Sequence, residues 1–359
     1  MPCSKKDGPL KKRQSQTFTN PSAFQVGHCL FFMKSTFQFI IVLLAFCTAF
    51  SACENSPKEV PVTVRRLENE FFAAKTPDEL SLLFKKNPYL RAYFGLSKEV
   101  PDTAAVNALY ANITNTELQQ FNQDLQTQFG DLASLKTQLQ QAFGQIQASF
   151  PDFKAPQIVT VVTGFMGSDL YVSDSVIVIG LDYFGGPKAK YRPQLFDYQL
   201  HRYRQEYIVP AILFFISEKY NKIPANDQTL LADMMWYGKG FEFVKHVAPQ
   251  TPDSLIIGYS QEQLEDVYAS QEDIWAYFLD RKLLYQTRDA EKDRFIGERP
   301  ATPEISQYCP GGIARWVGWR IINRYLQENP SVKLPELMAN TNVRQLLEAS
   351  KYKGQKEEE

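Results

Sequence analysis

The sequence predicts an α+β domain in which helices dominate and the sheet is small. Two observations lead to this fold class. Short β-branched runs occur in one part of the chain only, within 157–164 and 173–186. On both sides of these runs, apolar residues recur at spacings of three and four, which is typical of helices packed on a core. Strands that are segregated from helices along the chain favour an α+β arrangement.

The first 52 residues have the features of an export signal. The apolar run from Phe37 to Phe50 follows a basic residue and is 14 residues long, whereas a membrane-spanning helix needs about 20. Met33 is a candidate translation start. The sequence FSAC at 50–53 resembles a bacterial lipobox, in which the cysteine is diacylated and becomes the first residue. We therefore predict a lipidated Cys53; the alternative is an ordinary signal peptide with a chance cysteine near its cut.

These features divide the chain into four segments. We predict a signal region at 1–52, a tether at 53–62, a body at 63–350 and a disordered polar tail at 351–359. Residues 1–52 hold six basic residues and one acidic residue, which leaves 33 basic and 39 acidic residues and a net charge of −6 for the rest. That charge argues against a nucleic-acid partner. Only Cys309 remains after Cys53, so the sequence predicts no disulfide within the body.

The segment before the sheet is predicted to be helical. Thr76–Glu79 combines a capping-box pattern with proline at the first helical position, and Thr114–Glu117 repeats the box. Five apolar residues then recur at spacings of 3, 4, 4 and 3 and mark one face of a long helix: Leu132, Leu135, Leu139, Phe143 and Ile146.

The β-branched runs predict a small antiparallel or mixed sheet, with Gly164–Asp169 as a loop between its strands. After Pro193 the helical pattern returns. The predicted helices cover 200–220, 229–247, 260–286, which opens with a capping box at Ser260, and 312–328, which follows a Pro-Gly-Gly turn.

The order of strand, loop, strand and two helices resembles that of zinc peptidases of the zincin type. Those enzymes carry HExxH on the first helix, where two histidines bind zinc and the glutamate activates water. The matching positions are Gln205, Glu206 and Val209, so both histidines are replaced. On the next helix Lys239 falls where a third ligand is expected, and its charge would repel a cation. We therefore expect no catalytic residue, no metal and no cofactor. Pro210 predicts a kink or an offset start of this helix.

Other candidate sites stay open as alternatives. His201, Glu206 and His246 define the rival hypothesis, a zinc peptidase with unusual ligands. Cys309 and His246 could form a nucleophile pair, although a lone cysteine is more often a packed thiol. The Pro-Gly-Gly turn at 310–312 could hold an anion on free N–H groups, or need glycine only for its tight bend. A third class is a lipoprotein that binds a ligand in the degenerate cleft.

Five blocks in a fixed order resemble the gliding-motility lipoprotein B family over most of residues 34–350. The resemblance implies a zincin-like fold without the metal ligands, lipidation at Cys53 and no catalytic residue. The blocks are the lipobox at Cys53, VIVIGLDYFGG at 176–186, YRQEYIVPAI at 203–212, MMWYGKGFEFVKHVAP at 234–249 and CPGGIARWVGWRIINRYL at 309–326.

The resemblance implies a role in the cell-envelope machinery for motility and secretion. We accordingly predict a non-catalytic component or assembly factor, held by its lipid in the cell membrane or outer membrane with its body in the periplasm. Its predicted partners are the membrane and other gliding or secretion proteins. Four tryptophans are candidates for either the core or a partner surface: Trp236, Trp275, Trp316 and Trp319.

Overall fold

The computed structural model describes residues 59–355; the signal region, Met33 and Cys53 lie outside them. Within this range the chain is mainly helical and has one four-stranded mixed sheet, so the predicted α+β class is confirmed. No helix between residues 59 and 355 combines the length and the apolar character needed to cross a membrane.

The sheet has the strand order β1-β2-β4-β3. The first three strands in that order are parallel, and β3 pairs antiparallel with β4 at one edge. The sequence did not predict β1, because this three-residue strand contains two arginines and no apolar alternation. The strands are β1 Val64–Arg66, β2 Gln157–Val161, β3 Leu170–Val172 and β4 Val176–Gly180.

The two faces of the sheet bury different side chains, as the two-residue period of a strand requires. Val159 and Val178 pack in a cluster with the helices between residues 67 and 113. Ile158 and Ile177 join the larger core, which contains the C-terminal helices and the two helices between residues 116 and 149. The helices before β2 are α1 Leu67–Ala73, α2 Pro77–Lys86, α3 Tyr89–Tyr93, α4 Asp102–Ile113, α5 Thr116–Phe129 and α6 Ala133–Ser149. All five apolar residues predicted for the long helix are buried.

In two of the three predicted capping boxes, the N-cap side chain accepts the expected hydrogen bond from the backbone N–H three residues later. Thr76 accepts the Glu79 N–H at the start of α2, and the Ser260 box forms in both directions. The box predicted at Thr114 is wrong. The Thr114 hydroxyl donates at 2.8 Å to the Tyr110 carbonyl in the last turn of α4, so the side chain of Asn115 caps α5 instead.

The chain after the sheet is helical, as predicted, but more finely divided. The helix predicted at 260–286 is broken at Ser270 and ends in a 3₁₀ turn at Leu283–Tyr285. The helices are α7 Asp197–Leu200, α8 Ile208–Glu218, α9 Leu230–Val247, α10 Asp253–Ile257, α11 Gln261–Ala269, α12 Gln271–Asp280, α13 Asp289–Ile296, α14 Ile313–Glu328, α15 Leu334–Ala339 and α16 Val343–Ser350.

Helices α9 and α14 cross at the centre of the core, and glycine permits their close approach. A Cβ at Gly318 would lie 2.0 Å from the Met234 carbonyl oxygen, and one at Gly238 would lie 2.5 Å from the Gly318 carbonyl oxygen. Trp316 and Trp319 are fully buried around this crossing. Trp275 is also buried and Trp236 is half-buried, so core packing is the main role of the tryptophans.

Both ends of the described chain pack on the body. Val62 is buried and the Val60 N–H donates to the Gln140 carbonyl, so the last residues of the predicted tether contact the body. Beyond α16, Tyr352 is buried with its ring 5.1 Å from that of Trp275. The predicted disorder of the tail is therefore wrong for 351–355.

Candidate functional site

A cleft with two adjacent chambers lies where α8 and α9 meet the loops that precede α11 and α14. The larger, here called the aromatic chamber, has a volume of about 330 Å³. The smaller, called the basic chamber, has a volume of about 100 Å³. Arg202, Gly258, Glu298 and Arg315 line both chambers and therefore mark the boundary between them.

The start of α8 decides which side chains reach the aromatic chamber. Tyr207 lines it from a 3₁₀ turn, and Ala211 and Phe214 line it from α8. The prediction that Gln205–Val209 lies within the helix is wrong for Gln205–Tyr207, which form a 3₁₀ turn, because the α-helix begins at Ile208. Pro210 explains this offset start, since proline is tolerated in the first turn of a helix but removes a hydrogen bond further in.

The residues that match HExxH point to three different surroundings. Gln205 is half-buried in the 3₁₀ turn, Glu206 is exposed and pairs with Arg204 at 3.2 Å, and Val209 is buried in the core. The side chains of this segment that line the cleft begin at Tyr207 and continue with Ala211 and Phe214, so they start two residues further along the chain than the sequence pattern suggested.

The structure does not bring the residues of the rival zinc site together. Nδ1 of His201 lies 2.6 Å from the Tyr198 carbonyl and Nε2 lies 2.5 Å from the Gly258 carbonyl, so neither nitrogen faces an open coordination position. His246 lines a separate cavity of about 480 Å³ beside Glu242. Within residues 59–355, no three His, Cys, Asp or Glu side chains cluster in a way that could hold a metal ion.

Lys239 does not face the cleft, so its predicted repulsion of a cation there is wrong. Its ammonium group donates to the Lys222, Met338 and Asn340 carbonyls at 2.5, 3.3 and 3.0 Å, and the side chain is fully buried. Burial lowers the pKa of Lys239 to about 8. The comparison with zincins did not predict this structural role of Lys239. On α9, Tyr237 and Phe241 line the cleft, whereas Lys239 lies on a different side of the helix.

Arg315 provides the cationic wall of the cleft from the first turn of α14. Its guanidinium lies over the Tyr237 ring, 4.5 Å from the ring centre, and its Nε donates to the Ile296 carbonyl at 2.6 Å. Stacking of this kind is a favourable cation–π contact. Arg315 is half-buried, so it is part of the site and not a freely solvated surface residue.

Arg202 reaches the same place from the turn after α7. A Cβ at Gly258 would lie 2.6 Å from the Arg202 Cδ, so glycine at this position leaves space for the Arg202 side chain. Arg202 forms an ion pair with Glu298. Burial lowers the pKa of Arg202, and the nearby positive charge of Arg315 lowers it further.

A buried carboxylate organises the loop that leads to the cleft. Asp182 accepts hydrogen bonds from the Thr163 and Phe165 N–H groups at 3.0 and 2.8 Å, and burial raises its pKa. The loop ends at Asp169, which lines the aromatic chamber and accepts the Leu170 N–H. The predicted loop at Gly164–Asp169 is confirmed.

The Pro-Gly-Gly turn and Cys309 have packing roles. A Cβ at Gly311 would lie 1.9 Å from the Arg299 carbonyl oxygen, and Gly312 has a φ of +69°, so the bend needs both glycines. Cys309 is buried, and burial raises the pKa of its thiol to about 12. A thiol with that pKa stays protonated at neutral pH, and His246 lines a different cavity, so the two do not form a nucleophile pair.

Comparison with protein families gives one match, to the family described as "Gliding motility protein GldB", over residues 51–354. The chain belongs to this family. The match covers most of the chain and confirms the family resemblance that the sequence blocks predicted. No curated protein and no solved structure matched the chain. The likeness of this GldB-family protein to zincins therefore stays a prediction.

Proposed function

We propose that this GldB-family protein is a lipid-anchored component or assembly factor of the gliding machinery that acts by binding rather than by catalysis. The supporting observation is the cleft, in which aromatic residues and arginines occupy the walls. Of the two histidines of the body, His246 lines another cavity, and His201 lines the basic chamber with both ring nitrogens against backbone carbonyls. Family membership supports the link to gliding motility.

The anchor is proposed at Cys53, with the body in the periplasm and the lipid in the cell membrane or outer membrane. The apolar run and the lipobox-like FSAC support it, and the family match begins at residue 51, two residues before the cysteine. The family model also carries a lipoprotein label in its name. Two acyl chains would anchor the protein stably, since one chain alone gives only marginal membrane binding.

The test of the anchor combines mass analysis with motility. Intact-mass analysis of protein extracted from membranes should give a diacylated or triacylated N-terminal peptide starting at Cys53. In a deletion strain, wild type should restore movement and Cys53→Ser should not. Cys309→Ser is the matched control, because it removes the buried thiol of the body and leaves the anchor intact. A mature protein that starts at Met1 or Met33 would contradict the anchor.

The test of the non-catalytic role uses the same strain. Glu206→Ala should restore movement fully, because Glu206 is exposed and pairs only with Arg204 among the described residues. Elemental analysis should find no stoichiometric zinc. One tightly bound zinc per chain, lost together with peptidase activity in His246→Ala, would instead favour the metallopeptidase. Normal movement of the deletion strain would contradict the motility role itself.

A further inference from the structure

The two chambers of the cleft have different chemistry. The charged residues of the basic chamber are Arg202, Arg299, Arg315 and Glu298. The aromatic chamber is lined by rings from α8, α9 and the turn before them, and Asp169 is its carboxylate besides Glu298. The volume of about 330 Å³ falls in the range of about 300–1,000 Å³ in which small-molecule sites occur.

Among the residues that the structure describes, positive charge in the basic chamber is left unpaired. Glu298 pairs with Arg202, and Arg299 pairs with Glu304 at 3.1 Å. Arg315 uses Nε on a backbone carbonyl, and within residues 59–355 no acceptor is hydrogen-bonded to its Nη atoms. The face of this guanidinium is held against Tyr237, so the direction of its Nη edge is fixed although no described residue pairs with it.

The two guanidinium groups at the chamber boundary also repel each other. The positive charge of Arg315 contributes to the lowered pKa of Arg202, after the larger effect of burial. An anion placed beside both groups would offset this repulsion. Arginine is suited to that role, because its planar fork can bind a carboxylate or a phosphate through two parallel hydrogen bonds.

We propose that the cleft binds a small anionic ligand that carries an apolar ring, with its carboxylate or phosphate on Arg315 and Arg202 and its ring in the aromatic chamber. The inference rests on the proposed function and deepens it, because it names the ligand class of the cleft that supports a binding role. Tyr203, Phe214 and Phe241 supply ring faces at the apolar end.

The binding test uses three probes that each carry one phenyl ring, two anionic and one neutral. Full-length protein purified from membranes is titrated by calorimetry with 3-phenylpropionate, phenyl phosphate and the neutral 3-phenylpropanamide. At least one of the two anions should bind about tenfold or more tightly than the amide, because charge-assisted hydrogen bonds are about twice as strong as neutral ones. The tighter anion identifies a carboxylate or a phosphate ligand. Equal binding of all three probes, or no binding, overturns the proposal.

Two substitutions locate the site. Arg315→Met should weaken binding of the anion about tenfold, and Arg315→Lys should retain part of it. Arg344→Met is the matched control, because Arg344 also lies over a tyrosine ring, 5.7 Å from the centre of Tyr285, outside the cleft. Unchanged binding in Arg315→Met, or an equal loss in Arg344→Met, overturns the assignment.

Glu298→Gln supplies a test that misfolding cannot imitate. Removing this carboxylate frees Arg202 from its ion pair and makes the basic chamber more positive, so the variant should bind the anion several-fold more tightly than wild type. Weaker or unchanged binding contradicts the proposal. Because the readout is binding alone, failure here is distinct from failure of the motility complementation.

Discussion

Lys239 shows how a charge can be buried for structural reasons. Its ammonium group joins the turn after α8 to the end of α15 through three carbonyl acceptors. The Met338 carbonyl also accepts the Lys222 N–H, but the Lys222 and Asn340 carbonyls would lose this donor if the ammonium group were removed. An unsatisfied buried polar group costs about 1–3 kcal/mol. The lysine is therefore a cross-link between segments that are far apart in sequence.

We predict that Lys239→Met lowers the free energy of unfolding by about 2–4 kcal/mol, because a methionine fills the space but leaves the Lys222 and Asn340 carbonyls without this donor. Denaturant titration measures this change. Lys245→Met on the same helix is the control: its partly exposed pair with Asp253 should contribute less than about 1 kcal/mol. Equal effects of the two substitutions would contradict the structural role.

The same lysine predicts a pH dependence of stability. Burial lowers its pKa from 10.5 to about 8, so between these values the unfolded chain binds a proton that the folded chain has released. Stability from this group therefore rises as the pH rises through the window. Wild type should gain unfolding free energy relative to Lys239→Met between about pH 8 and 10.5. A constant difference between them, from denaturant titrations across that window, would contradict the lowered pKa.

At the scale of elements, the crossing of α9 and α14 depends on contact between two backbones. Gly318→Ala would place a methyl group against the Met234 carbonyl, which cannot move without separating the helices. We predict a loss of stability of about 1–3 kcal/mol or more. Gly240→Ala on α9 is the comparison, because its Cβ would meet the end of the Phe214 ring at 2.6 Å, and a ring can shift. Thermal unfolding that ranks Gly240→Ala as the more harmful would contradict this reading.

The elements also show which parts of the fold the sequence could predict. Periodicity identified α6 and α9 because each buries a continuous apolar face. Local chemistry identified the Ser260 cap and the effect of Pro210. Strand β1 was not predicted because it forms through parallel pairing with β2, which is distant in sequence. Such pairing leaves no recognisable pattern in a segment of three residues.

The candidate site was less predictable than the fold, for a physical reason. The pattern drew attention to Gln205 and Glu206, but the offset start of α8 brings Tyr207 and Ala211 to the cleft. Arg202 and Arg315 come from separate loops and helices, so no spacing in the sequence joins them. Arg202 and Arg315 line the same cleft only because the fold places the turn after α7 next to the first turn of α14.

At the scale of the whole molecule, residues 351–355, which follow α16, pack against α12. Past α16, Tyr352 packs its ring against Trp275, and the Gln271 side chain donates to the Gln355 carbonyl at 2.9 Å. Gly354 has a φ of +76° and lies so close to α12 that a Cβ would be 2.8 Å from the Trp275 Cβ. These contacts hold 351–355 on α12, although their composition is that of a polar tail.

Truncation tests these contacts. Deleting 351–359 should lower the free energy of unfolding by about 3 kcal/mol, because it removes a buried aromatic ring and exposes Trp275. Deleting only 356–359 should have little effect, since Tyr352 and Gln355 remain. Denaturant titrations of both truncations give the comparison. Equal free energies of unfolding for the two truncated proteins would show that the contacts between 351–355 and α12 do not stabilise the body. That result would support the disordered tail that the sequence predicts.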